Sequence, residues 1–358
     1  MENIYNDVNR FYKSKKINSD IWHIIDSLFS RNKTKLRFNI SNNEIISNED
    51  INVISSPVRE VNDSGNKFLI DNKYDNEPLV IRNALSNWKV SQLWSIDYIL
   101  NNYGNDLNGL GKIKDIIKQR KQNYVQFHPI FILHPSEINN INLDYIYKNT
   151  GTNYVIEAGF QFFMSNVHGT KTLFHNANDS NLFMQISGKK EWIFYPPDMN
   201  ALIEPSPKSS HRKPNINIRN HDPFECSTTF NNRFNYSNCL KVTLNEGDIL
   251  YVPPYYWHAV KTITSNNISI GYRWLDPINC LNINPIYFLL DLVSGNPNII
   301  KNILINRKEG PMRHFINEMG LNHLYSRGKL KKYLLELYQS SNIYRTRTAS
   351  LKRKYKII

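Results

Sequence analysis

The chain has 358 residues, 41% of them apolar and 12% aromatic, enough for a sizeable core and unlike a disordered polypeptide. Three scattered cysteines, Cys226, Cys239 and Cys280, form no CxxC pair; this excludes a disulfide framework and a structural zinc site and points to a reducing compartment. The net charge is +13, and residues 299–358 carry fourteen Lys or Arg against three Glu, so the excess is concentrated in a basic tail that either meets a polyanion through counterion release or acts only as a solubiliser. The opening residues, MENIYNDVNRFYKSKK, have no apolar signal-peptide core. The apolar stretch Ile286–Val293 is far shorter than the ~20 residues that span a bilayer. An intracellular protein, cytoplasmic or nuclear and without membrane contact, is expected.

In chain order, residues 1–56 read as a helical region with an apolar face around Ile21, Ile24, Ile25 and Leu28. Residues 57–103 read as a short β/α unit: Phe68–Ile70 and Pro78–Ile81 are strand-like, Ser86-Asn87-Trp88 is a turn, and Ser95 can cap a helix from Ile96 to Asn102 that ends near Gly104. From about residue 120 to 275 the pattern changes to short strands between turns, as in a β-sandwich or barrel. The expected strands are Tyr124–Phe127, Phe160–Ser165, Leu182–Ile186, Glu191–Tyr195, Leu240–Leu244, Ile249–Val252, Ala259–Ile263 and Ile268–Trp274, with Ser187-Gly188-Lys189 as a hairpin turn. Residues 197–238 form a polar, Pro- and Asn-rich insertion of a length usually reserved for function or disorder. Helical patterns return at Pro285–Val293, Asn298–Ile305, Met312–Met319 and Leu330–Gln339. The expected organisation is a helical region over 1–56, a barrel over 57–278 with its 197–238 insertion, and a helical region with the basic tail over 279–358.

Three segments carry the chemistry. The first runs Thr172-Leu173-Phe174-His175-Asn176-Ala177-Asn178-Asp179-Ser180-Asn181-Leu182. The second runs Gln185-Ile186-Ser187-Gly188-Lys189-Lys190-Glu191-Trp192-Ile193-Phe194-Tyr195-Pro196-Pro197. The third is Glu246-Gly247-Asp248-Ile249-Leu250-Tyr251-Val252-Pro253-Pro254-Tyr255-Tyr256-Trp257-His258. In the third, Gly-Asp makes a turn, a short apolar strand follows, and Pro-Pro ends it, so that the next strand begins near His258. His175 likewise precedes a strand. Two imidazoles from separate strands at one barrel mouth can bind a divalent transition metal. His168, His211 and His221 read as ordinary packing or surface residues. In the second segment, Lys190, Trp192 and Phe194 share one face of a strand. If that face is inward, a charged Lys190 among aromatics requires an anion.

Together the three segments resemble the JmjC/cupin family of Fe(II)- and 2-oxoglutarate-dependent oxygenases, with its pattern TPxHxDxxxNxxxQxxGxKxWxxxPP followed by GDxLYxPxxWWH. Pro78–Trp88 is similar to that family's N-terminal PxVxRGxxxxW stretch, and the likeness covers residues ~60 to 275. It implies a mainly β (α+β) fold, a double-stranded β-helix of two face-to-face sheets buttressed by helices from both termini. It also implies hydroxylation of a protein or peptide side chain, in the manner of the small JmjC hydroxylases. By resemblance His175 and His258 are metal ligands and Lys190 pairs with the distal carboxylate of 2-oxoglutarate. Thr172 assists that carboxylate, Asn181 lies near the metal end, and Tyr124 matches a cosubstrate-binding tyrosine. In some relatives the C-terminal helices form a homodimer.

The pattern breaks at Ala177, where the family carries a metal-binding Asp or Glu. Because the spacing to Asn181 and Lys190 is intact, no shift repairs it. Three readings follow. Two histidines hold the metal weakly in an inactive binding module; an exogenous anion takes the place, as in the 2-oxoglutarate halogenases; or Asp179 reaches in as a substitute ligand. Arg273 is a second departure, standing where the family tends to carry Asn. It would oppose a metal cation or bind an anion.

Overall fold

The computed structural model describes residues 55–62, 76–108, 111–119, 123–128, 130–149, 156–203, 205, 222–224 and 239–290. The helical patterns expected before residue 50 and after residue 297, the strand at Phe68–Ile70, His211, His221 and the basic tail lie outside the described residues.

Among the described residues the strands are, in chain order, β1 (Ser55–Pro57), β2 (Arg59–Asn62), β3 (Leu79–Arg82), β4 (Leu107–Asn108), β5 (Gly111–Lys112), β6 (Tyr124–His128), β7 (Ile156–Ser165), β8 (Ser180–Ser187), β9 (Lys190–Tyr195), β10 (Cys239–Leu244), β11 (Ile249–Val252), β12 (Trp257–Thr262) and β13 (Asn267–Leu275). A seven-stranded sheet has the order β2-β3-β11-β8-β13-β7-β6, and a four-stranded sheet has the order β1-β10-β9-β12. This is a mainly β fold with a double-stranded β-helix core.

Period-two alternation explains the layering. On β8, Leu182, Met184 and Ile186 point to one side and join Phe160, Phe162 and Met164 of β7 and Ile268, Ile270, Tyr272 and Trp274 of β13 in a core under the flanking helices. The opposite face supplies Phe183 and Phe163, which meet Trp192, Phe194, Val242, Leu250 and Val260 between the sheets. The outer face of the smaller sheet is covered in turn: Ile193, Tyr195, Trp257 and Ala259 pack with Phe174, Met199 and Ile203. Both sheets are thus buried on both faces, and each fully buried Leu or Phe contributes about 1.5–3 kcal/mol.

The expected helix at residues 96–102 is present as Ile96–Tyr103, with Ser95 Oγ accepting from Tyr98 N at 3.0 Å and Gly104 at its C-terminus. All eight strands expected between residues 120 and 275 are present. The hairpin at Ser187–Lys189 is not. Gly188 turns at φ +74°, but β8 belongs to the larger sheet and β9 to the smaller, so the chain crosses between sheets. The crossing is caught by the β12–β13 loop, with Lys189 N donating to Thr264 Oγ1 (2.8 Å) and Ile263 N to Lys189 O (3.0 Å). A Cβ at position 188 would stand 2.8 Å from Thr264 Oγ1, so glycine is required there on two counts. Helices at Ile130–Leu133, Leu143–Asn149 and Pro277–Ile283 were not expected from the sequence.

Asp248 of the Gly-Asp turn is a latch. It is buried, accepts from Asn83 N (3.1 Å) and Asn245 N (2.8 Å), and pairs with Arg82, which also pairs with Glu60. The N-terminal strands β2 and β3 are fastened to β11 in this way. Among the described residues no helix is long and apolar enough to cross a membrane.

Candidate metal and cosubstrate site

His258 is the second residue of β12 and His175 lies on an irregular edge segment running beside it. The two residues form an antiparallel bridge, with His175 N donating to His258 O (3.1 Å) and His258 N to His175 O (2.7 Å). Upstream, Thr172 N donates to Val260 O at 2.8 Å. Three steps on the edge segment therefore face two on β12, which is a bulge. It turns Leu173 outward, 64% exposed, and Phe174 into the cluster with Trp257 and Tyr195. It also aims the two imidazoles at each other, with ring centroids 4.3 Å apart and planes inclined at 55°.

The ring tautomers follow from their backbone partners. His175 Nδ1 lies 2.6 Å from Leu173 O, and His258 Nδ1 lies 2.9 Å from Tyr256 O. A carbonyl only accepts, so each Nδ1 carries a proton, and in the neutral ring the lone pair is on Nε2. His258 is held neutral. Burial pushes its pKa well below the usual value, the nearby His175 and the Arg273 charge push the same way, and the Tyr256 carbonyl opposes them. Two Nε2 atoms on rings this close suit a shared divalent ion at the ~2.0–2.1 Å bond length of zinc-like imidazole sites.

Lys190 opens β9 and faces inward with Trp192 and Phe194. It is 1% exposed. Its ammonium lies 4.9 Å from the Phe183 ring centroid, 5.7 Å from Phe163 and 5.8 Å from Tyr124. Burial lowers its pKa to about 7, and among the described residues no anion offsets this. The Phe183 ring contacts Trp192 (4.8 Å), and Trp192 lies 5.7 Å from His258. Lys190 and the histidines thus share one interior, connected by an aromatic wall.

Of the remaining expected site residues, Tyr124 stands at this wall, its hydroxyl pKa pushed up by burial. Asn181 is buried on the inner face of β8, opposite Arg273 of β13. Thr172 holds the bulge: its Oγ1 accepts from Val260 N at 3.0 Å, a use that spacing could not reveal. His168 is exposed.

Ala177 is buried, and its carbonyl accepts from Tyr255 N at 2.6 Å. Asp179 does not join the histidines as a third ligand in this arrangement. Its buried carboxylate lies beside Arg273, with Nη1–Oδ2 3.9 Å, and among the described residues no three His, Cys, Asp or Glu side chains gather to hold a metal ion. The loop is fixed on either side by Tyr255 N on Ala177 O and by Cys280 Sγ on Asn178 O (3.1 Å), so Asp179 continues the inner face of β8 toward β13.

The fit to Fe(II) with 2-oxoglutarate is therefore good but one ligand short. Two oriented imidazoles and a buried lysine with no anion among the described residues are present, and the position of the family's carboxylate carries a methyl group. Two features had no sequence signal. His128 is fully buried with neither ring nitrogen hydrogen-bonded among the described residues; burial lowers its pKa to about 4. Glu137 gathers Trp94 Nε1 (2.8 Å), Tyr98 (3.1 Å), Tyr103 (2.5 Å) and Asn140 (2.9 Å), a hub that ties the N-terminal helices together.

Comparison with known proteins agrees with this architecture. A cupin-like domain model matches residues 139–280. The chain is similar to a lysine-specific demethylase, JMJ30, of Arabidopsis thaliana, 24% identical over 237 residues, covering 58% of this chain and 52% of that protein. It is also similar to HSPB1-associated protein 1 of Mus musculus, 29% identical over 99 residues, covering 27% of this chain and 19% of the relative, and to the Homo sapiens counterpart at the same identity and coverage. The chain thus spans about half the length of the first of these relatives and about a fifth of the others. The fold and the three motifs agree with the cupin-like match over residues 139–280 and with the likeness to a JmjC-type demethylase.

Proposed function

We propose that the barrel binds Fe(II) and 2-oxoglutarate and oxidises a protein or peptide side chain, with hydroxylation as the reaction. The observation that carries this reading is Lys190, a buried lysine among three aromatic rings whose charge no anion among the described residues offsets. Burying an isolated ammonium is costly, and a carboxylate ligand removes that cost. When bound, ferrous ion and 2-oxoglutarate supply the oxidising power: dioxygen is consumed, one oxygen atom enters the substrate and the other enters succinate as carbon dioxide leaves. The chain's own part is positioning. His175 and His258 present Nε2, Lys190 grips the distal carboxylate, Tyr124 closes the wall behind it, and Trp192 with Phe194 keeps water from the interior. The names of the relatives, a demethylase acting on lysine and a protein associated with HSPB1, support a protein as the partner. The basic tail as a polyanion contact, a homodimer through the C-terminal helices, and a cytoplasmic or nuclear setting belong to the same proposal.

The experiment is succinate production by the purified protein with Fe(II), 2-oxoglutarate and dioxygen, without any prime substrate. Slow turnover abolished by a chelator is expected. A second reading, a binding module without turnover, is favoured by Ala177 and by the Arg273 charge near His258. A protein that binds 2-oxoglutarate but makes no succinate would select it.

A further inference from the structure

The chain passes from β11 to β12, and so from the larger sheet to the smaller, through residues 253–256. The crossing turns at Tyr255, whose φ is +63°. A bulky non-glycine residue in the left-handed region is strained and persists only where its surroundings over-determine it. Two contacts do so here. Its N–H donates to Ala177 O at 2.6 Å, which adds a third bond to the two exchanged by His175 and His258. Its ring is buried with Cys280, Ile283, Tyr287 and Phe288, all on the two helices that follow β13, Pro277–Ile283 and Pro285–Leu290.

This helix pair is seated against the loop that carries His175. Asp276 Oδ1 caps the first helix by accepting from Ile278 N (3.1 Å) and Asn279 N (3.0 Å), and Asn284 Oδ1 accepts from Tyr287 N (2.9 Å) at the start of the second. From the first helix, Asn279 Nδ2 donates to Tyr251 OH on β11 (3.1 Å) and Cys280 Sγ donates to Asn178 O (3.1 Å). The amide side chains of the loop do not hold it: neither amide atom of Asn178, nor Oδ1 of Asn176, is hydrogen-bonded among the described residues. The loop is held from behind instead, through the carbonyls of Ala177 and Asn178, by groups that the helix pair supplies or fixes.

We propose that Tyr255 is a positioning residue for the histidine pair, and that docking of the helix pair on its ring sets the affinity of the site for a divalent metal ion. The inference rests on the metal-binding reading of His175 and His258 given above. Tyr255 acts through the backbone. Its ring, locked among the helices, keeps φ positive, and the positive φ aims its N–H at the loop carrying His175, while His258 follows on the same segment. Once the ring is released, Tyr255 relaxes to an ordinary φ, the tie to Ala177 is lost and the imidazoles are no longer held together. The site depends on this tie because, among the described residues, no third ligand joins the two histidines.

The test is Mn(II) titration of the full chain below the melting temperature of every variant, with free Mn(II) followed by electron paramagnetic resonance. Amide exchange at position 255 is the metal-free readout. The proteins are the parent, Tyr255→Phe, Tyr255→Ala, Phe288→Ala and, as a control in the core under the other helices, Ile99→Ala. Tyr255→Phe keeps the ring and should bind Mn(II) within twofold of the parent. Tyr255→Ala and Phe288→Ala should weaken Mn(II) binding at least tenfold and speed exchange of the amide at position 255. Ile99→Ala should lower the melting temperature and leave Mn(II) affinity unchanged. A folded Tyr255→Ala protein with the parent's affinity overturns the proposal while the metal reading stands, and so does an equal loss of affinity in Ile99→Ala. If Tyr255→Ala does not fold, unchanged affinity in Phe288→Ala overturns the proposal by itself. A parent that binds no Mn(II) refutes the metal reading, and the positioning role falls with it.

Discussion

His175 and His258 exchange both backbone hydrogen bonds, 3.1 and 2.7 Å, while each imidazole donates from Nδ1 to the carbonyl two residues before it. Ring position is thereby set by the backbone rather than by a carboxylate partner, and the pair is oriented before any metal arrives. Metal affinity should then depend on what fills the place of Ala177, not on Asp179. Ala177→Asp is expected to tighten Mn(II) or Fe(II) binding tenfold or more. Asp179→Asn should leave metal affinity within about twofold and lower stability instead, since it strips a buried neighbour from Arg273. Metal titration and thermal melting of the two variants, side by side, check this. Lost metal binding in Asp179→Asn would make Asp179 a ligand after all.

Lys190→Met should abolish 2-oxoglutarate binding and stabilise the ligand-free protein at neutral pH by on the order of 1 kcal/mol, because it removes an uncompensated buried ammonium. The pH sign follows from its pKa near 7 against an ordinary 10.5. Between those values the unfolded chain binds more protons at this site than the folded one, so stability rises with pH across that window and the lysine's penalty is complete below 7. The carboxylate favours the charged form. Ligand affinity should therefore be full at and below pH 7 and decline above it, with uptake of up to one proton on binding. Calorimetry in buffers of different ionisation enthalpy measures that proton.

Among the described residues no carboxylate joins the two histidines, and the Arg273 charge is felt at His258. Metal and 2-oxoglutarate should therefore bind in mutual dependence, each raising the affinity of the other by the same factor, as linkage requires. A tenfold or larger gain in Mn(II) affinity on adding saturating 2-oxoglutarate is expected, with the reciprocal gain for 2-oxoglutarate on adding Mn(II). Independent binding of the two would show that the charge is balanced elsewhere.

Asp248 is buried and serves Asn83, Asn245 and Arg82 at once. Asp248→Ala should cost about 3–5 kcal/mol, the range for breaking a buried ion pair, and loosen β2 and β3. Denaturant unfolding gives the magnitude, and faster amide exchange at Val80 and Ile81 gives the location. A loss below 1 kcal/mol would mean the latch carries little.

The strands were legible because alternation of apolar and polar residues marks each one, as in Leu182–Ile186 and Ile268–Trp274, and the meeting of the two histidine rings and the inward turn of Lys190 because motif spacing survives intact. Sheet membership was not legible. Ser187-Gly188-Lys189 has hairpin chemistry, yet its partners are in the β12–β13 loop, a long-range contact that local sequence does not encode. The direction of Asp179 was not legible, because proximity along a chain says nothing of direction: its carboxylate lies beside Arg273. That Thr172 supports a bulge was not legible, a backbone role that a residue type alone cannot reveal.

The most direct measurement is anomalous diffraction from crystals of the full chain soaked with Mn(II) and 2-oxoglutarate, collected at the manganese edge. A single anomalous peak bonded to Nε2 of both His175 and His258, with a dicarboxylate running from it to Lys190 Nζ, is the predicted result. No peak between the two rings, with the Lys190 side chain unligated, would contradict the account.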